Sequence, residues 1–310
     1  VPLVEMNDGK VFPKTQKARD VLDALLADAK RLGVDFFYGC LIDVVDVDRE
    51  IFRARVDMPP SGDGSPTREF LARNLLLATG GKSYPVTGSA GCGHRIAKPH
   101  GHTIIETAPA LAPIVVDGYR FAECAGISVS AATVRIIREG KTVHAARGDV
   151  LFTHKGLSGP GILDASRYIR KGDEVRIGLI PETSPEELDQ RILMATESSG
   201  ARSIKSFLTS MGIPERLALA TLALCGIDGG SALARIGRNA RKKICSTVAS
   251  LPFAVADLGG FHEAMATRGG VALSEVNPKT MESKIVPGLY FAGEVLDVDG
   301  DTGGFNIQFA

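Results

Sequence analysis

No stretch of this sequence approaches the ~20 consecutive apolar residues that a bilayer-spanning helix needs. Its opening, "VPLVEMNDGK", has no basic head leading into an apolar run, so it does not read as a secretory signal. It also opens without an initiator Met, and the chain is expected to begin inside a longer protein. Net charge is missing too: Lys+Arg and Asp+Glu stand at 36 each. That excludes a whole-surface electrostatic footprint for nucleic acid or anionic membrane, though not a local patch. Cysteine is sparse. Cys40, Cys92, Cys124, Cys225 and Cys245 are scattered, odd in number and never spaced C-x-x-C. A disulfide framework is excluded, and reduced thiols in the cytoplasm are expected.

What is present is ordinary globular composition: 310 residues, 44% hydrophobic and 23% charged. That suffices for a sizeable core, and suggests two domains or one large domain with an insertion. "KTQKARDVLDALLADAKRLG" carries Val21, Leu22, Leu25, Leu26 and Ala29 at helical spacing, with Gly33 as a stop. "VDFFYG" reads as a short buried strand, and "CLIDVVDVD" and "IFRARVDM" as antiparallel strands. "PPSGDGSP" is a loop by composition. "NLLLATGG" reads as a strand buried on both faces, ended by two glycines. From Ala110 to about Ile180 the texture is strand and turn. Ser184-Pro185-Glu186-Glu187 then opens a helical stretch that runs to Ser250, and "RGGVALSEV" and "GLYFAGEV" return to strand. This order suits an α/β sheet interrupted by a β module and a helical module.

Three glycine-rich loops carry the candidate chemistry. In "LLLATGGKSYP" a buried strand ends in Thr79-Gly80-Gly81, either a place for close backbone approach to a ligand or a plain strand–loop corner. In "GSAGCGHRIAKPHGH" the glycines run G-x-x-G-x-G, the reverse of the dinucleotide fingerprint. Starts at Gly62, Gly91 and Gly159 all lack the third small residue, so no complete fingerprint exists. Cys92, His94, His100 and His102 in the same loop match no familiar zinc spacing, and no metal site is expected. In "DVDGDTGGFNIQFA", Asp297, Asp299 and Asp301 imitate a calcium loop, but its sixth and twelfth positions are Thr302 and Gln308. The alternative is a strand delivering Glu294 and Asp297 to sugar-like hydroxyls. Gly303-Gly304 then open a helix whose free N–H groups face an electron-rich ring.

"GLYFAGEVLDVDGDTGGFNIQFA" resembles the terminal flavin motif of the BaiN-type, aminoacetone-oxidase-like NAD(P)/FAD-dependent flavoproteins. "DGKVFPKTQKARDVLDALL", "LLLATGGKSYPVTGSAGCGHRIAKPHGHTI", "GDVLFTHKGLSGPGILDASR" and "ATRGGVALSEVNPKTMESKIVPGLYFAGE" resemble further motifs of that family in the same order, with Cys92 where an Asp is usual. The resemblance implies an α/β fold: an incomplete Rossmann-like FAD-binding domain in two parts, about 1–108 and 252–310. A β-barrel-like module (109–182) and a helical module (183–251) interrupt it. The family's G-x-G-x-x-G unit is lacking. The chain is therefore expected to be an internal fragment, shorn of that unit and of the C-terminal helix, inactive by itself and weak in FAD binding.

The resemblance further implies an FAD-dependent oxidoreductase acting on a small organic substrate, with NADH or NADPH as candidate electron donor. Thr79, Gly80, Gly81, Gly293, Glu294, Asp297 and Thr302 would line the cofactor. Gly303, Gly304, Phe305 and Asn306 would present N–H groups to the flavin, Thr267, Gly269 and Gly270 would approach its ring, and Ile42 would touch adenine. Thr153, His154 and Ser158 are the substrate-side candidates, unless their loop is only a tight connection. Arg235, Arg238, Arg241, Lys242 and Lys243 form a basic helix face, commonly just solvated, so nucleic acid is not an expected partner. Two other readings stay open: a non-catalytic fragment or interaction module without cofactor, and a flavoprotein acting on RNA.

Overall fold

The structure is a computed structural model that describes residues 1–6, 9, 11–57 and 67–309. The loop at 59–66 lies outside the described residues. The chain divides into two compact units. The first comprises Val1–Leu76 with Glu282–Tyr290, the second Leu77–Met281 with Phe291–Ala310.

In the first unit, β1 (Leu3–Glu5) pairs with β2 (Val11–Pro13), and α1 spans Ala18–Arg31 where the apolar spacing places it. Then β3 (Leu41–Asp48) and β4 (Ile51–Asp57) form the expected antiparallel pair, and β5 (Thr67–Ala72) adds a third strand to it. Alternation along β4 buries Phe52, Ala54 and Val56 and exposes the residues between them, as a one-faced strand should. The segment "VDFFYG" is a correction. It forms no strand, because no neighbouring backbone gives it a ladder, and Val34, Phe37 and Tyr38 are exposed. Its aromatics contact one another and Phe70 instead. "NLLLATGG" yields only β6 (Leu75–Leu77), and Leu76 is 57% exposed, so this strand is not buried on both faces.

The second unit opens with the short α2 (Cys92–Ala97) and β7 (Ile104–Ala110). Next come β8 (Ile114–Val116), β9 (Ser128–Arg138), β10 (Lys141–Phe152), β11 (Gly156–Ser158), α3 (Pro160–Leu163) and β12 (Glu174–Gly178). Four helices follow: α4 (Pro185–Ser199), α5 (Ile204–Ser210), α6 (Glu215–Cys225) and α7 (Arg238–Ala249). The chain then forms β13 (Leu251–Leu258), β14 (Ala266–Val271), β15 (Leu289–Phe291, paired with β6) and α8 (Gly303–Phe309).

Six strands close a barrel in the order β10-β11-β8-β13-β12-β9. The boundary drawn at 251/252 therefore needs moving, because β13 fills the gap between β8 and β12. Its alternating Leu251, Phe253 and Val255 point into the barrel. These side chains, with Val134, Ile136, Phe152 and Ile177, share one apolar core with Leu188, Leu208, Leu222 and Ile244 of the helices. The β and helical modules are thus one packed body. The expected helix start at Ser184 is a capping box: Ser184 Oγ accepts from Glu187 N (3.2 Å) while Glu187 Oε2 accepts from Ser184 N (2.8 Å). Among the described residues, no helix is long and apolar enough to cross a membrane.

Candidate functional site

Strand β14 pairs antiparallel with β7, which sets Thr267 opposite Pro109 and buries it completely. The Thr267 hydroxyl then joins three segments. Its Oγ1 accepts from the backbone N–H of Lys82 (2.8 Å) and of Ser83 (3.0 Å), and lies 2.9 Å from Ser83 Oγ. With both lone pairs taken by N–H donors, the hydroxyl proton is left for the acceptors beside it, the Glu294 carboxyl and Ser83 Oγ. Thr267 N donates to Glu294 Oε1 at 2.6 Å. One residue thereby ties the loop after β6 to β14 and to the 3-10 turn Gly293–Val295.

This contact requires glycine at 81. A Cβ there would lie 2.5 Å from Thr267 Oγ1 and 2.6 Å from Glu294 Oε1. Gly270 is needed for a second reason: its φ is +135° and a Cβ would lie 2.6 Å from the Val295 carbonyl oxygen. That close approach lets Val271 bridge Leu296 in parallel and accept from Asp297 N at 2.9 Å. Burial pushes the Glu294 carboxyl above the usual carboxylate range, against the bonds from Thr267 that favour its ionised form.

Further along, Asn306 holds the last loop in shape. Its Oδ1 accepts from Gly300 N (2.9 Å), and its Nδ2 donates to the carbonyls of Gly300 (3.1 Å) and Thr302 (2.9 Å). Asn306 was expected to present its backbone N–H to a flavin; that N–H donates instead to the Thr302 carbonyl (3.3 Å), and its side chain is the brace of the loop. Gly303 and Gly304 have open space around them. Arg167, the 298–301 loop, Phe305, Gln308 and Phe309 line an open cleft of about 470 Å³, within the size range of small-molecule sites. The guanidinium of Arg167 sets the wall of this cleft. Its Nε lies 3.0 Å from Asp299 Oδ2, Nη2 donates to the Asp299 carbonyl (2.9 Å), and Nη1 pairs with Asp301.

Of the residues singled out from sequence, Gly81, Thr267, Gly270 and Glu294 meet here, with Thr79, Gly80 and Gly293 beside them. Gly269, at φ +81°, packs instead on the Glu106 backbone. Ile42 belongs to the first unit, on β3 opposite Val56. Thr153 and His154 lie in the barrel turn between β10 and β11, and Ser158 ends β11 opposite Leu151. The Thr153 hydroxyl is consumed locally, donating to Gly156 O (3.0 Å) and accepting from Gly156 N (3.1 Å), and His154 is exposed. His94 and His102 part company. His94 is buried with Nε2 on the Val295 carbonyl (3.0 Å), whereas His102 faces Glu275 (3.3 Å). Among the described residues no three metal-ligating side chains converge. Sequence reasoning missed Arg167 as a site residue, although it closes the quoted stretch "GILDASR".

A closed six-stranded barrel packed with helices, beside short strands whose glycine corner receives an acidic side chain, makes this a mixed α/β protein. The chain belongs to the HI0933-like Rossmann-domain family, whose profile matches residues 1–310. It is 28% identical over 309 residues to a 3-dehydro-bile acid delta(4,6)-reductase of Clostridium scindens, covering 97% of this chain and 73% of the reductase. It is 34% identical over 245 residues to a ribosomal RNA dihydrouridine synthase of Haemophilus influenzae, covering 78% of this chain and 58% of that protein. The corresponding synthase of Escherichia coli is 33% identical over 236 residues, or 76% and 57%. The chain thus spans less than three fifths of either synthase.

Two outcomes follow for this cluster. Thr267→Val keeps the shape but orphans the N–H groups of Lys82 and Ser83. It should cost about 2 kcal/mol or more in chemical denaturation, with Thr267→Ser restoring most of it. Glu294 has a raised folded-state pKa, so the stability it lends is present when it is protonated and is lost as pH rises through that value. Glu294→Gln keeps an acceptor for Thr267 N–H and never ionises. It should gain stability relative to the parent as pH rises from about 4 to 7; a constant difference over that range would contradict the raised pKa.

Proposed function

We propose that this chain is the greater part of an FAD-dependent reductase whose substrate carries a carbon–carbon double bond conjugated to a carbonyl. The observation that carries the reading is the match to a reductase over 97% of this chain, on a fold that brings the Gly81 corner against Thr267 and Glu294. The relatives' names describe one kind of chemistry. A delta(4,6)-reductase of a 3-dehydro bile acid and a dihydrouridine synthase both add hydrogen across a double bond in conjugation with a carbonyl.

The residues present fit a flavin. Space at Gly303 and Gly304 leaves their backbone open to approach, and the cleft beside Phe305 has room for a flat ring. Glu294 and Asp297 would receive hydroxyls of the cofactor's chain, and the Thr79–Gly81 backbone would lie against it. When bound, FAD supplies hydride transfer. The protein's own part is to place N–H dipoles at the ring edge and to hold the 298–302 loop rigid through Asn306 and Arg167. NADH or NADPH would serve as electron donor. Full-length protein with FAD in excess should show the yellow flavin band and bleach anaerobically with one nicotinamide. A colourless full-length protein would defeat the reading.

A second reading, that the substrate is RNA, is favoured by the two synthases. The basic helix α7 contributes less to it than its sequence suggests. Arg241 pairs with Asp189 (2.5 Å), and Lys243 donates to the Cys225 carbonyl (2.9 Å), so both serve the helical packing. Arg235, Arg238 and Lys242 remain exposed. If RNA is the substrate, an rRNA fragment should bind with steep salt dependence, and Arg238→Glu with Lys242→Glu should flatten it. Binding that ignores both changes would remove α7 from the interface.

A further inference from the structure

Arg167 lines the cleft, Arg268 bonds its carbonyl from behind, and Arg138 and Arg170 are near enough to Arg268 to repel it; two of these four arginines are accounted for. Arg138 forms a bidentate pair with Asp173 (2.8 and 2.8 Å) and donates to the Tyr168 carbonyl (2.9 Å). Arg167 is held by Asp299 and Asp301. The other two are Arg268 and Arg170. Arg268 sits on β14 next to Thr267, half-buried, and its Nη1 donates to the Arg167 carbonyl. Among the described residues no carboxylate lies within ion-pair distance of it, although Asp299 and Glu106 are near enough to act on it electrostatically. Arg170 is exposed and likewise forms no ion pair among the described residues.

A half-buried guanidinium with one neutral partner, pressed by two like charges, is costly to keep. Burial, with repulsion from Arg170 and Arg138, pulls its pKa below the ordinary guanidinium value, against the opposing pull of Asp299 and Glu106. Its position is nevertheless tightly specified. Thr267 fixes the backbone on one side, and the Arg167 carbonyl fixes the head group on the other. The remaining N–H groups form a planar fork that carboxylates and phosphates accept in two-point fashion.

We propose that Arg268, assisted by Arg170, receives the anionic group of the substrate, a carboxylate or a phosphate, and so orients the molecule in the cleft that Arg167 walls. This rests on the reductase reading. Asp299 and Glu106 offset the charge only from a distance, and an incoming anion supplies the direct ion pair that no carboxylate among the described residues makes. Arg268 is a binding residue, and no proton passes through it.

The test is calorimetry on full-length protein with two matched pairs of probes. One pair is a 3-oxo-Δ4 steroid with a carboxylate side chain and its methyl ester. The other is uridine monophosphate and uridine. Within one pair the charged member should bind about tenfold more tightly, and the pair that shows this identifies the source of the anion. Arg268→Gln should abolish the preference, and Arg268→Lys should restore part of it. Thermal melts check that each variant is folded. If Arg268→Gln fails to fold, Arg170→Gln takes its place and should lower the preference about threefold. Equal binding within both pairs, including no binding of any probe, would overturn the proposal, as would a preference that survives the substitutions. Calorimetry needs no turnover, so a preference without a flavin band keeps the subsite and defeats the reductase reading. A flavin band without a preference does the reverse.

Discussion

The Thr267 hydroxyl is the contact on which the rest of the site depends. It is completely buried, and it engages Lys82 N, Ser83 N and Ser83 Oγ at once. Three segments distant in sequence are brought within one side chain of each other, and Glu294 is received by the same residue's backbone. The glycines around it follow from that contact. Position 81 has no room for a Cβ because Thr267 and Glu294 occupy the space, and position 270 has none because the 295–296 backbone does. A buried network with every member bonded specifies a single arrangement, since any slip leaves polar groups without partners.

Much of this was legible where the cause is local. Ser184 and Pro185 announced the start of α4, apolar spacing announced α1, and the strand–glycine corners announced close backbone approach. The barrel's membership was not legible at β13. Its partners β8 and β12 lie far back in the chain, and nothing in "LPFAVADL" says which sheet it will complete. The same limit explains Arg167. It stands inside a stretch that was recognised, but its role comes from Asp299 and Asp301, more than 130 residues later. Conversely, Thr153 and His154 looked like chemistry because of their types, and the hydrogen bonds of their hairpin could not be read from type alone. "VDFFYG" failed for a related reason: apolar content argues for burial, but a strand also needs a neighbour to pair with.

The barrel and the helices sharing one core changes how the second unit is best regarded. Sequence suggested two insertions carried by a cofactor domain. The packing of Leu188, Leu222 and Ile244 against barrel side chains makes them a single rigid support, from which Arg138 reaches the Tyr168 carbonyl and Arg167 the cleft loop. Rigid elements behind a site hold its polar groups at fixed distances, which is the structural requirement for electrostatic preorganisation.

The closed barrel also has a consequence for biosynthesis. Until β13 is made, the other five strands can form only an open sheet with β12 at one edge and β8 at the other. The ribosome must still deliver the helical module, some 80 residues from the end of β12 to the end of β13, taking about 4–16 s at ordinary elongation rates. During that interval two unpaired strand edges stand ready to add foreign strands. The helices that later share the barrel's core emerge first, and by packing on its apolar face they can shelter it while the last stave is awaited.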